Sequence, residues 1–540
     1  MIVSPRPAGR RTEASLSVVL CSLLLSTLAA GPATAQSTAD VVRDVRAYRA
    51  ANEVAIVEEL VELVSIPNFA EDEVNIRRNA RFLIQQLERR GARAELLESP
   101  GSPPAVLGHL PANDGASDHP TIVFYAHYDG QPVDESRWWS DPYVAELRAG
   151  MNADAKRVDL RDLEAPIDPE LRLFGRSASD DKAPIVAMLR ALDALEAAGI
   201  PRSVDLKFFF EGEEERGSPH LAEMLETHKS KLDADLWLFC DGPVHQSRRQ
   251  QVVFGVRGVM GLGITLYGPN RPLHSGHYGN WAPNPAARLT ELLAGMRDGE
   301  GRILIEGFYD DVRELSAVDR AAIAEAPDID SELREDLALG ASEAGNAPLL
   351  ERILLPALNV QGLSAGMVGE RAQNAVPSVA RAAVGFRLVP DLTPEKIREL
   401  VERHLRTQGY HLVYTEPDAA TRRAHERLVQ LDWEGGYRAT RTALDGPEAE
   451  ALLEVVDQVV AAQTAMSTNG DGPERSLRLP ILGGSLPLYL FEEILQTPLI
   501  VLPMVNHDNS QHAPNENLRI QNLWDGIELY AAVIAGLDAW

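Results

Sequence analysis

The segment FFFEGEEERGS, residues 208–218, is the strongest constraint on what this chain can fold into. A hydrophobic run, Val204–Phe210, ends at once in Glu211, Glu213, Glu214 and Glu215. Adjacent carboxylates repel one another and resist desolvation, so a buried strand that runs into them needs something to offset the charge. A divalent cation does this. The segment reads as part of a candidate metal site whose other ligands must come from elsewhere.

Strands and helices alternate around this point. Thr121–Tyr125 (TIVFY) and Ala234–Phe239 (ADLWLF) read as buried strands, Ala183–Ala198 as a helix, and Pro498–Leu502 (PLIVL) as a fourth strand. Helical apolar spacing also covers 40–66, ending at Pro67, and 75–91. The pattern predicts an α/β fold, a mostly parallel sheet with helices on both faces.

Ligands in such sheets bind beyond the carboxyl ends of the strands. There the chain carries His127 and Asp129 after the first strand, the Glu cluster after the second and Asp241 after the third. His507 and His512 follow the fourth, and Asp180 and Asp181 stand just before a helix that opens near Pro184. Each alone reads as an ordinary polar loop residue. Together, on successive strand ends, they make a cage for two metal ions.

From about Val252 the character changes. VVFGVRGVMGLGITLYG alternates apolar residues with glycine and reads as antiparallel strands, as does PSVARAAVGFRLVP (377–390). Residues 283–299 and 392–407 read as helices, and the helix from Pro447 returns to the first pattern. The expected organisation is an α/β domain from 37–251 and 445–540, with an α+β domain, 252–444, inserted. Stretches 145–170 and 305–350 are acidic and read as irregular surface excursions.

At 540 residues the chain exceeds what one core usually organises. A net charge of −28 disfavours nucleic acid and anionic membranes as partners. Arg6, Arg10 and Arg11, the apolar stretch 14–30 and Ala33-Thr34-Ala35 read as a cleavable leader over 1–35. The expectation is an exported protein, periplasmic or secreted, without stable membrane association after cleavage. Cys21 leaves with that leader and Cys240 stays alone, so no disulfide scaffold is expected.

Ordered along the chain, AHYDGQPVD (126–134), GRSASDDKAP (175–184), EGEEERGS (211–218), FCDGP (239–243), LHSGHYGNWAPNP (273–285), FRLVPD (386–391), GGSLP (483–487) and HAPNENL (512–518) form a recognisable set. The chain resembles the M20 (M20/M25/M40) metallopeptidases, and within them the carnosinase-like dipeptidases. The resemblance implies a zinc-peptidase-like fold and two divalent ions, zinc first, with manganese or cobalt possible in such N/O sites. It implies that Asp180 bridges the ions, with His127 and Asp241 on one, Glu215 and His512 on the other, and Glu214 as general base. It implies a cis Asp180–Asp181 peptide, a catalytic role for 37–251 and 445–540, a lid and dimerisation role for the inserted 252–444, and His274 as an oxyanion donor acting across a homodimer formed through that lid. His507 has no place in this pattern.

Physical chemistry supplies the remaining roles. Asp129, two residues from His127, can accept the ring N–H and fix the tautomer. Arg387 can pair with a substrate carboxylate. Gly484 and Ser485 precede a short helix whose N–H groups can meet an anion, and Asn374 is a further substrate contact. One departure stands out: Gly175-Arg176-Ser177-Ala178 has serine where the family usually has a second glycine. The expected activity is metal-dependent hydrolysis of an amide in a small substrate with a free carboxylate, a dipeptide first. An N-acyl-amino-acid amidohydrolase, a carboxypeptidase or a non-catalytic peptide-binding protein are the alternatives.

Overall fold

The long apolar runs become the centre of one sheet. In this computed structural model, which describes residues 36–466, 472, 475–537 and 540, eight strands form it. They are β1 (Arg93–Leu97), β2 (Ala105–Leu110), β3 (Thr121–His127), β4 (Asp205–Glu211), β5 (Leu236–Phe239), β6 (Gln251–Val253), β7 (Leu477–Leu479) and β8 (Leu499–Val501). Their order is β1-β2-β4-β3-β5-β8-β6-β7. The central run β4-β3-β5-β8 is parallel throughout. Antiparallel pairing enters on one side at β1-β2-β4 and on the other at β8-β6.

Both faces are covered by helices. Thr38–Val64, Lys182–Ala198, Pro447–Ala465 and Ile520–Gly536 share one core with Phe124, Phe208 and Phe210. Leu221–Leu232 and Leu488–Leu495 cover the other face against Phe209, Trp237 and Phe239. Successive strand residues alternate between the two cores, as a strand buried on both sides requires. Gly199, at φ 66, ends the helix that begins at Lys182, the left-handed stop that glycine adopts at low cost.

The five-stranded sheet draws all its strands from 258–437. The order is Ala357–Ser364, Val379–Leu388, Gly258–Tyr267, Leu428–Tyr437, His411–Val413, antiparallel except for the last pair. The strand Gly258–Tyr267 alternates buried and half-buried residues along its length, a sheet with one face in the core. Pro285–Met296 and Pro394–Thr407 cover that face through Leu289, Leu292, Leu400 and Leu405.

The two acidic excursions are more ordered than the sequence suggests. Glu146–Arg148 and Arg157–Val158 join Arg172–Phe174 and Asn517–Arg519 in a four-stranded sheet. Arg148 is buried there with its guanidinium over the rings of Trp139 and Phe174. Residues 317–325 and 330–336 are helical, the first closed by a Ser316–Asp319 capping box. Among the described residues no helix is long and apolar enough to cross a membrane. The leader expected over 1–35, with Cys21, lies outside the described residues; Cys240 is buried with a free thiol.

Candidate metal centre

The parallel strands deliver their last residues to one place. His127 ends β3, Glu214 and Glu215 follow β4, and Asp241 follows β5. His127 Nε2 lies 2.9 Å from Asp180 Oδ1 and 4.0 Å from both Asp241 Oδ2 and Glu214 Oε2. His512 Nε2 lies 3.2 Å from Asp180 Oδ2 and 3.1 Å from Glu215 Oε2. The Asp180 carboxylate therefore faces both histidines, one oxygen to each. The Asp180–Asp181 peptide is cis.

Two groups of metal-ligating atoms result, each within 4.8 Å: His127 with Asp181 and Asp241, and Asp180 with Glu215 and His512. The sequence places Asp181 beside Asp180 in the cage but gives it no ligand role; the structure brings it within reach of His127 and Asp241. One of its oxygens accepts the His127 main-chain N–H at 3.2 Å, and the other is buried without a partner.

The electrostatics are those of a site short of positive charge. Burial, with the nearby Asp180 charge, pushes Asp241 up to about 7. Burial likewise pushes Glu214 and Asp181 well above the usual carboxylate range. Hydrogen bonds to Asp180 and Glu215 push His512 up to about 11. Asp180 is held below the usual range, against its burial, by the two histidines. Imidazole nitrogens and carboxylate oxygens are donors that suit zinc and similar ions, and Asp181 Oδ1 is buried beside them without a partner. The residues fit a pair of divalent cations.

Supporting side chains hold this arrangement. Asp129 Oδ1 is 3.3 Å from His127 Nδ1, which is buried and has no better partner. The same carboxylate accepts the main-chain N–H groups of Glu214 and Glu215, each at 3.1 Å. Gln131 donates to Glu215 Oε2 at 2.8 Å and Gln511 to Asp180 Oδ2 at 3.2 Å. Lys182 is fully buried and donates to the carbonyls of Leu63 and Ile66, tying the cis turn to the first helix.

The substrate candidates divide. Arg387 donates to Ser485 Oγ at 2.6 Å, and the carbonyl of Gly484 accepts the Arg257 N–H at 3.0 Å. Arg387 and Tyr437 are both cross-strand partners of Val259, so the two stand in one row of the five-stranded sheet. Burial, with the nearby Glu214 charge, pushes the Tyr437 hydroxyl up. His274 and Asn374 are not brought to this cluster. They lie on a short ribbon where His274 pairs with Ala375, and both are exposed. The His274 ring accepts the Gly276 N–H and lies 4.5 Å from the His277 ring, tilted 35° to it.

The description of Peptidase family M20/M25/M40 matches residues 123–536. The chain belongs to this family. A Cys-Gly metallodipeptidase of Schizosaccharomyces pombe is 26% identical over 505 residues, 88% of this chain and 94% of that protein. Human Beta-Ala-His dipeptidase is 25% identical over 438 residues, 80% of this chain and 76% of that protein. The solved structure of an M20 family metallo-carboxypeptidase from Sulfolobus solfataricus superposes with a TM-score of 0.68 at 27% identity, over 89% of this chain and 99% of that one. The protein is thus an M20 metallopeptidase of mixed α/β fold.

One expectation is corrected. Export to the periplasm or medium rested on 1–35 alone, and the similarity to yeast Cys-Gly metallodipeptidases contradicts it. A basic start followed by an apolar stretch reports hydrophobicity and charge, which are properties of composition rather than of recognition by an export system.

The serine that departs from the M20 pattern has a structural account. Ser177 sits at φ 61, where glycine is easiest. Its Oγ accepts from Asn68 at 2.9 Å, and a Cβ on the facing Gly130 would meet that oxygen at 2.3 Å. The glycine needed for close approach is at 130, and the turn at 177 is held by hydrogen bonds instead.

Proposed function

We propose that this M20 metallopeptidase hydrolyses dipeptides with a free carboxylate, with Glu214 as general base. The observation that carries the reading is the Asp180 carboxylate divided between His127 and His512. His127, Asp241 and Asp180 would hold one ion, and Asp180, Glu215 and His512 the other, zinc being the first candidate. Two such ions, when bound, polarise the scissile carbonyl and lower the pKa of a water.

The chain's own groups do the rest. Glu214, 4.0 Å from His127 Nε2, takes the proton of the attacking water and returns it to the leaving amine. Its burial favours the protonated form, which suits that return. Asp129 keeps Glu214 and Glu215 in register through their main-chain N–H groups. Arg387, Ser485 and the backbone at Gly484 receive the substrate carboxylate; a free carboxylate there replaces the Arg387–Ser485 contact with a stronger, charge-assisted one.

The segment 252–444 is read as the lid, closing over the catalytic part formed by 37–251 and 445–540. A homodimer through that lid accounts for His274, which is exposed and away from the cluster in its own chain. Val360 and Leu363 are exposed on the edge strand Ala357–Ser364 and are open to a second copy. His274 of the partner subunit would then serve as the oxyanion donor, with Asn374 beside it.

A second reading keeps the same site for a carboxypeptidase, favoured by the likeness to the Sulfolobus enzyme. An N-acyl-amino-acid amidohydrolase would also use these groups. A pure binding protein has no use for Glu214. The test is turnover of dipeptides, N-acyl amino acids and longer peptides by one purified preparation. Dipeptides are expected to be cleaved with the highest kcat/KM. Faster release of C-terminal residues from longer peptides contradicts the dipeptidase reading.

A further inference from the structure

Glu516 lies in the loop that carries His512, and its side chain is fully buried. Its carboxylate gathers five hydrogen bonds from residues 176–180. Oε2 accepts from Arg176 Nη1 at 2.7 Å and the Ser177 N–H at 2.9 Å. Oε1 accepts from the Ser179 N–H at 3.0 Å, Ser179 Oγ at 2.9 Å and the Asp180 N–H at 2.8 Å. The main-chain carbonyl of Glu516 accepts the Gly175 N–H at 3.0 Å. One residue thus holds the whole turn that precedes the cis peptide.

The position of this turn decides where Asp180 points. Ser177 within it has φ 61, a conformation that a non-glycine residue keeps only when its surroundings impose it. A carboxylate offers about four lone-pair directions, and five donors already occupy those of Glu516, so it has none to give a metal. Arg176, 3% exposed, supplies the counter-charge and stacks over Trp138.

We propose that Glu516 is the positioning residue for both halves of the metal centre: it fixes the Asp180 carboxylate between His127 and His512. The inference rests on reading those groups as a metal site. It adds a mechanical link between them, because His512 and Glu516 share one loop while Asp180 ends the turn that Glu516 holds. Displacing the turn therefore disturbs both ions together.

Glu516→Gln tests this, because either orientation of the amide turns an NH2 toward at least two of the five donors. The probe is zinc chloride titrated into metal-free protein in competition with a chromophoric chelator. Leu518→Ala, a buried leucine of the same segment that makes none of these five hydrogen bonds, is the control for lost stability. Affinity for zinc is expected to fall about 10–100-fold in Glu516→Gln. In Leu518→Ala at matched loss of Tm it stays within about threefold, too small a change for a lost positioning contact. Cobalt-substituted Glu516→Gln is expected to show altered visible absorption bands.

Unchanged zinc affinity in Glu516→Gln overturns the proposal, as does an equal loss in Leu518→Ala, which makes Glu516 merely structural. If Glu516→Gln does not fold, Arg176→Gln is read in the same assay; it removes one donor and strands the Glu516 charge. A several-fold loss supports the proposal and none overturns it. Wild-type protein that binds no zinc, cobalt or manganese removes the metal site itself, a failure distinct from the others.

Discussion

Asp129 and Glu214 are joined through the main chain: the Glu214 N–H donates to Asp129 Oδ1 at 3.1 Å. The same oxygen lies 3.3 Å from His127 Nδ1. One buried carboxylate thus orients a candidate ligand and the candidate base. Asp129→Asn keeps the size but turns an NH2 toward one of these donors. It is expected to lower kcat and metal affinity about 10–100-fold, read by turnover and metal titration. Loss of one without the other contradicts the joint role.

Glu214→Gln removes the base and leaves the other groups in place. Turnover is expected to fall about 10²–10⁴-fold, the usual range for a general acid–base, with metal content unchanged. Full turnover in this variant sinks the proposed mechanism.

Arg387→Met removes the cation that meets the substrate carboxylate. A charged hydrogen bond contributes about 1.5–3 kcal/mol, so kcat/KM for dipeptides is expected to fall about 10–100-fold, mostly through KM. The same change is expected to matter little for dipeptide amides. An equal loss with the amides places Arg387 in structure rather than recognition.

Metal binding and pH are linked through His512. In the metal-free protein, Asp180 and Glu215 keep its imidazolium charged up to about 11. Below that pH a metal ion must displace the proton, so affinity falls as pH falls and rises as it rises. Against its burial, His127 is raised as well by Asp129 and Asp180, so the expected slope near neutrality is at least about tenfold per pH unit, the value for one proton released. Calorimetric titration in buffers of different ionisation enthalpy counts the protons. Affinity independent of pH contradicts the assignment of His512 as a ligand.

The parallel centre of the fold was legible because its strands are unbroken apolar runs with a ligand just past each end. Four of the five proposed ligands, and Glu214, sit at such ends, so local pattern located them. Asp180 needed the run of two Asp before a helix. Strands of three residues, such as 146–148 and 517–519, are too short to show a period and went unread. The helix at 317–325 did carry a signal, the Ser316–Asp319 capping box, in a stretch read as irregular. Gln131, Gln511 and Glu516 were invisible because their roles depend on loops that meet only in the fold. Glu516 reaches back to a turn more than 330 residues earlier. Arg257 beside Gly484 and Tyr437 in one row with Arg387 were missed for the same reason. The departure at Ser177 was visible, but its compensation by Asn68 and Glu516 was not.

The most direct test of the shared Asp180 is zinc stoichiometry and dipeptide hydrolysis, measured on the same titration of metal-free protein and of Asp180→Ala. About two ions per chain, with hydrolysis returning as they bind and neither ion held tightly by Asp180→Ala, is the expected result for a bridged pair. One ion per chain at full activity, or one ion still tightly held in Asp180→Ala, contradicts a carboxylate shared by two metals.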